Sequence, residues 1–167
     1  MKTLLLALML LSALGSGLMA GLFFIFSVTI MGALGRLPPA QGIAAMQSIN
    51  VVILNPIFFA VFFGTAALCL VLAVWSVVVW QDVGAAWLLA GSLLYVVGAI
   101  VVTILFNVPM NDALAAIDPA SGEGARLWAR YLTDWTRWNH VRTVACVGAT
   151  AALILAIYFH GRVPAAG

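Results

Sequence analysis

Charge is what this sequence has least of: 7% of its 167 residues are Asp, Glu, Lys or Arg, against about 25% in soluble domains. With 65% hydrophobic residues and a mean hydropathy of +1.18, the chain reads as a multi-pass integral membrane protein. The formal charge of +2 comes from scattered arginines and excludes a nucleic-acid surface.

Cysteine and histidine are equally scarce. Cys69 lies deep in one apolar run and Cys146 near the start of another, so both read as small core residues rather than a disulfide pair. There is no C-x-x-C, no zinc-ligand spacing, no cysteine-bound haem signature and no glycine-rich phosphate loop. His140 and His160 fall at opposite ends of a membrane crossing, where they cannot share an ion. We expect no metal and no cofactor. Because charge is missing from the middle of every span and no inverted repeat of broken helices is visible, a channel or transporter ranks lowest among the functions considered.

What the chain does have is four apolar runs, each long enough to cross a bilayer, over residues 3–34, 56–80, 85–106 and 144–159. The first could pass for a signal peptide with a cleavage site at Ala13-Leu14-Gly15, but its apolar run continues through Phe23, Phe24 and Phe26. Gly17 and Gly21, with Ala13 one turn earlier, form a small-residue stripe suited to close helix packing. Between the first two runs, Pro38-Pro39 turns the chain and a short interfacial helix is expected over Ala40 to Ile49. Asn55-Pro56 reads as an N-cap followed by proline at the first helical position. Phe58, Phe59, Phe62 and Phe63 look like a packing cluster. Gln81-Asp82-Val83-Gly84 is a tight link, and Gly84, Gly91 and Gly98 recur every seven residues as a packing seam. His160-Gly161-Arg162 followed by Pro164 should end the last run. The expected fold is all-α: one domain over 1–167, an integral membrane antiparallel four-helix bundle with a short interfacial helix between spans three and four.

The polar content gathers in Asn107 to Thr143, which holds four of the five acidic residues, four of the seven Lys and Arg and three of the six Trp. All five asparagines, Asn50, Asn55, Asn107, Asn111 and Asn139, fall at the end of the bundle where the first and third links emerge. Amides at membrane depth are costly unless paired, so they form either a capping network or a polar pocket. Capping accounts more easily for Asn55 than for Asn107 and Asn111, which follow an expected helix end and flank Pro109.

If Arg126 to Thr143 is one helix, Trp128, Tyr131, Trp135, Trp138, Asn139 and Arg142 share an arc of roughly 100°. Arg126, Arg130, Thr133, Arg137 and His140 point elsewhere. An interfacial aromatic belt explains the tryptophans but not Arg142. An arginine in a bundle mouth needs an anion or several carbonyls. Either Asp112 or Asp134 pairs with it structurally, or Arg142 with Asn139 and Asn107 or Asn111 holds an oxyanion of a ligand. His140 has a side chain suited to proton transfer, although it lies off the arc.

Four stretches taken together, GLMAGLFFIFSVTIMGAL, INVVILNP, FNVPMND and WTRWNHVRT, make the chain resemble the anthrone oxygenase-like family of small four-span membrane proteins. The likeness extends over most of the chain, with Gly32 standing where a proline is common. It implies cofactor-free oxidation of an anthrone to an anthraquinone, and motif positions at Asn107, Pro109, Asn111, Trp138, Asn139 and Arg142. An anthrone that loses a proton becomes an electron-rich phenolate able to reduce oxygen, so the site must stabilise an anion and supply a base. The catalytic candidates are Arg142, Asn139, His140 and Asp112. Asn50, Asn107, Asn111, Trp135 and Trp138 are the substrate-binding candidates. The expected partners are the lipid bilayer and a hydrophobic aromatic small molecule, with no nucleic acid, and the sequence carries no sign of oligomeric state. The alternative function is a non-catalytic membrane module that binds a lipid, a quinone or a partner subunit. A bacterial-type plasma membrane is expected. Arg36, Arg126, Arg130, Arg137 and Arg142 against Lys2 and Arg162 put the asparagine-rich end in the cytoplasm.

Overall fold

A computed structural model describes residues 2–160, so the helix stop expected at Gly161, Arg162 and Pro164 lies outside the described residues. Among the described residues there is no strand. Five helices follow one another: α1 Lys2–Leu34, α2 Pro39–Val52, α3 Pro56–Val78, α4 Ala85–Ala115 and α5 Gly122–His160. All but α2 are long and apolar enough to cross a membrane. Three of them begin where the apolar runs do, because in hydrocarbon only a helix satisfies every backbone group within its own segment.

Local chemistry sets several ends. Asn55 accepts from the amides of Ile57 and Phe58 at 3.1 and 3.0 Å, with Pro56 in the first turn, so the capping reading of this asparagine holds. Before α5, Asp118 accepts from the Ala120 amide through its side chain at 3.0 Å, and Ser121 Oγ accepts from the Gly124 amide at 2.9 Å. The C-terminal end of α4 is closed from another helix: Gln47 Nε2 on α2 donates to the carbonyls of Leu114 at 2.8 Å and Ile117 at 3.1 Å.

Several expected element bounds need correction. The third run does not end at Phe106 but continues through Pro109 to Ala115. Proline lacks an amide and crowds the preceding turn. Here the turns before it are widened into π-helix over Val96–Val101 and Thr103–Asn107, which reroutes the hydrogen bonds and lets the helix carry on. The fourth span is not confined to 144–159 either: it and Arg126 to Thr143 belong to the single 39-residue α5. No proline or glycine interrupts residues 125–147, and at 1.5 Å per residue the helix is about 58 Å long, well beyond the roughly 30 Å of a bilayer core. The helix between the first two spans is longer than Ala40 to Ile49, running over Pro39–Val52. A third π segment, Phe26–Ile30, sits in α1.

The interior divides into two clusters. One contains Met9, Phe62, Cys69, Leu72, Tyr95, Cys146, Ala149 and Leu153, with both cysteines free and buried as expected. Here α4 and α5 meet at the glycine seam. A Cβ on Gly84 would lie 3.2 Å from the Ala156 carbonyl, one on Gly91 3.1 Å from that of Ala149, and one on Gly98 would overlap Ala145. The order of these pairs runs in opposite directions along the two helices. Of the stripe expected in α1, Ala13 is buried and a Cβ on Gly17 would lie 3.8 Å from Thr150 of α5, whereas Gly21 meets nothing within 4 Å; the tightest approach is at Gly15, where a side chain would overlap Thr65 of α3. The second cluster joins Phe26, Ile43, Met46, Leu114, Trp128, Tyr131 and Trp135 at the other end, where α2 lies over α4 and α5.

Candidate functional site

Where the clusters meet, a cavity of about 180 Å³ opens, lined by residues of all five helices. Its inner wall carries the polar groups Asn50, Thr103, Asn111 and Arg142, and the rest is aromatic and aliphatic. A larger groove of about 480 Å³ between α1 and α3 is lined by leucine, valine and Trp75, and has no charged group to orient a ligand.

Arg142 is the centre of the site, and only 5% of its surface is exposed. One guanidinium nitrogen donates to Thr103 Oγ1 at 3.1 Å and another to Asn139 Oδ1 at 2.7 Å, while Nε has no partner among the described residues. The guanidinium carbon lies 4.3 Å from the centre of the Phe23 ring and 5.1 Å from that of Trp135. Two aromatic faces attract the cation without neutralising it. The structural pair expected with Asp112 or Asp134 is not what the cation meets: its hydrogen bonds go to neutral groups, and both aspartates are exposed.

The shell behind Arg142 is built from π-helical segments. Asn139, fully buried, donates to the Phe23 carbonyl and to Ser27 Oγ, both at 2.7 Å, and its own oxygen faces Arg142. Ser27 also meets Thr143 Oγ1 at 3.2 Å. Ser27 stands in the π turn of α1, and Thr103 in that of α4. Both side-chain partners of the Asn139–Arg142 pair on neighbouring helices, Ser27 and Thr103, are therefore presented by widened turns, a feature often found at functional sites. Above them, Asn111 Oδ1 accepts from Tyr131 Oη at 2.7 Å and from Trp135 Nε1 at 2.8 Å. This holds the indole beside the cation. Trp128, Tyr131 and Trp135 stack in succession along α5, with centroids 5.6 and 5.7 Å apart.

Among the residues singled out from the sequence, Asn50, Asn111, Trp135 and Arg142 line the cavity, and Asn139 stands directly behind Arg142. Asn107 does not follow a helix end. It is buried inside the π turn of α4 and donates to the Trp135 carbonyl at 3.2 Å. Trp138 lies against Phe106, with rings stacked at 3.5 Å, and is not in the cavity lining. His140 and Asp112 are exposed and also outside it. Sequence reasoning missed Ser27, Thr103 and the aromatic wall. Ser27 and Thr103 are hydroxyls in long apolar runs, which was the available signal. The phenylalanines read as packing do stack on one another, and Phe58, Phe59, Phe62 and Phe63 also line the cavity.

Among the described residues, no three His, Cys, Asp or Glu side chains are grouped so as to hold a metal ion. The family model described as anthrone oxygenase matches residues 58–152, more than half of the chain. The matched stretch contains Asn107 to Arg142 and excludes Asn50 and Phe23. No curated protein and no solved structure matches.

Proposed function

The chain belongs to the anthrone oxygenase family, and from that premise we propose that it is a membrane-embedded, cofactor-independent oxygenase of anthrone-like, easily deprotonated aromatic molecules. In such a reaction the ring CH2 becomes C=O, and dioxygen supplies one oxygen atom to the product and the other to water. The observation that carries this reading is Arg142: a buried cation in a cavity wall, with no carboxylate among its hydrogen-bond partners and an unsatisfied Nε.

A cation held this way favours the anionic form of whatever occupies the cavity. Anthrone deprotonation concentrates charge on the carbonyl oxygen, which Arg142 is placed to stabilise. Asn139 orients the guanidinium, and Asn50 and Asn111 offer amide groups on the same wall. Trp135 and the phenylalanines provide flat faces for the rings. The bases suggested by sequence, His140 and Asp112, stand outside the cavity lining, so deprotonation depends on the increased acidity of the bound substrate, and the proton ends in the water molecule that the reaction itself forms. The lack of any carboxylate or imidazole in the lining also favours the second reading, a non-catalytic module that binds a lipid or quinone through the same groups.

The four spans are proposed to cross a bacterial plasma membrane as an antiparallel bundle, with α2 at the interface and the site toward the cytoplasm. The opposite order of contacts along α4 and α5 supports the bundle, and the arginine excess supports the orientation. Membranes containing the protein should consume oxygen when given anthrones, hydroquinones or other acidic phenols, and Arg142→Gln membranes should not. Equal consumption by both would remove the oxygenase reading.

A further inference from the structure

The cavity is not closed on all sides, and its opening has a distinct chemistry. Five of its lining residues are themselves exposed on the outside of the molecule: Leu54, Phe59 and Phe63 on the α3 side, and Ile104 and Val108 on the α4 side. All five are apolar. Every polar lining group, by contrast, is buried or half-buried. The helices explain the gap. α3 packs closely on the Ala85–Tyr95 part of α4 and more loosely on Val96–Val101, so the two diverge toward the cavity.

The end facing away from the spans is closed. Ile43 and Met46 of α2 are buried against Leu114, Trp128, Tyr131 and Trp135, and Gln47 ties α2 to the end of α4 through two hydrogen bonds. Asn111, bonded to Tyr131 and Trp135, seals the same side. Next in the chain to the lining residues Asn50, Ile53 and Phe58, the residues Val51, Val52 and Ile57 add exposed apolar surface, at 74%, 71% and 79% exposure. A surface of this kind is stable against lipid and costly in water.

We infer that ligands enter sideways from the bilayer, through a portal between α3 and α4 framed by Phe59 and Phe63 on one side and Ile104 and Val108 on the other. This rests on the proposed function for the ligand's chemistry and adds its physical class: a flat, uncharged phenol or anthrone dissolved among acyl chains, which ionises only on reaching Arg142. The cavity of about 180 Å³ is below the roughly 300 to 1,000 Å³ usual for ligand pockets. A three-ring molecule therefore sits with its oxygen inward and its far ring in the portal, against lipid.

The test uses the whole protein in lipid nanodiscs, with 1-hydroxyanthraquinone as the probe and stopped-flow quenching of tryptophan fluorescence as the readout. In the double variant Ile104→Phe, Val108→Phe the association rate should fall about tenfold, with the affinity falling as well because the added side chains share the portal with the probe's far ring. Gln47→Ala, which loosens the opposite end, should leave the association rate unchanged. An unchanged rate in the double variant, a faster rate in Gln47→Ala, or no quenching of the unaltered protein would each overturn the portal. If the double variant slows the probe as expected but anthrone elicits no oxygen uptake, the portal stands and the oxygenase reading falls.

Discussion

The two ends of the interior are built on opposite packing rules. At one end, glycine and alanine let α4 and α5 approach until Gly91 would have its Cβ 2.9 Å from Leu153, and no space remains. Around the cavity, Phe23, Phe26, Phe62 and Trp135 line the space between the helices, and three π segments fall at or next to it. Close-packed small residues supply the association energy of a membrane bundle, because lipid offers no hydrophobic drive for helices to meet. The aromatic end can then hold a cavity and an unneutralised arginine. Close packing and the buried cation are thus placed at different depths of the same helices.

The sharpest way to break this division is to overfill the packed end. Gly98→Leu would drive a branched side chain into Ala145 and should prevent stable assembly. Adding methylenes to a filled core costs about 1 to 3 kcal/mol, and here the obstacle is a facing helix. Thermal unfolding in detergent checks it, and a melting temperature equal to that of the unaltered protein would show that the seam is not under constraint.

Next in size is Arg142→Lys, which keeps the charge but loses the planar fork. A charge-assisted hydrogen bond is worth about 1.5 to 3 kcal/mol, so affinity for an acidic phenol should fall by about one to two decades while the protein still folds. Arg142→Gln should lose at least as much. If loss of binding only follows loss of folded protein, the arginine belongs with the structural end.

Asn111→Ala falls between the two classes. It strands the Tyr131 hydroxyl and the Trp135 indole N–H, each an unsatisfied buried donor that costs about 1 to 3 kcal/mol if nothing replaces the partner. The expected result is a lower melting temperature together with weaker binding, because Trp135 loses its anchor. Asn111→Asp retains an acceptor and should recover stability better than binding.

The smallest effects should come from His140→Ala and Asp112→Asn, with turnover per folded molecule within about twofold of the original. Both side chains are exposed and outside the cavity lining, and surface changes of this kind usually alter stability by less than about 0.5 kcal/mol. A loss of about tenfold in oxygen uptake from either variant would restore the base that sequence reasoning assigned to it.

The four apolar runs were legible from the sequence because backbone groups in hydrocarbon must be satisfied locally, so hydropathy and helix coincide. The same holds for the Asn55-Pro56 cap, which is a property of consecutive residues. The glycine seam and the inward arc of α5 were readable from their periods, since Trp128, Tyr131, Trp135, Asn139 and Arg142 are all buried. Only the tertiary structure decided what that arc meets. Periodicity reports which face is covered, not which neighbour covers it. The side chains that meet Asn139 and Arg142 from neighbouring helices are those of Ser27 and Thr103 because π turns in α1 and α4 add residues locally and reset the facing register. Tertiary packing also overrode the stop signal of Pro109, and it put the wide gap between α3 and α4 at the aromatic end. Neither effect is local, and both depend on how helices distant in sequence press on one another.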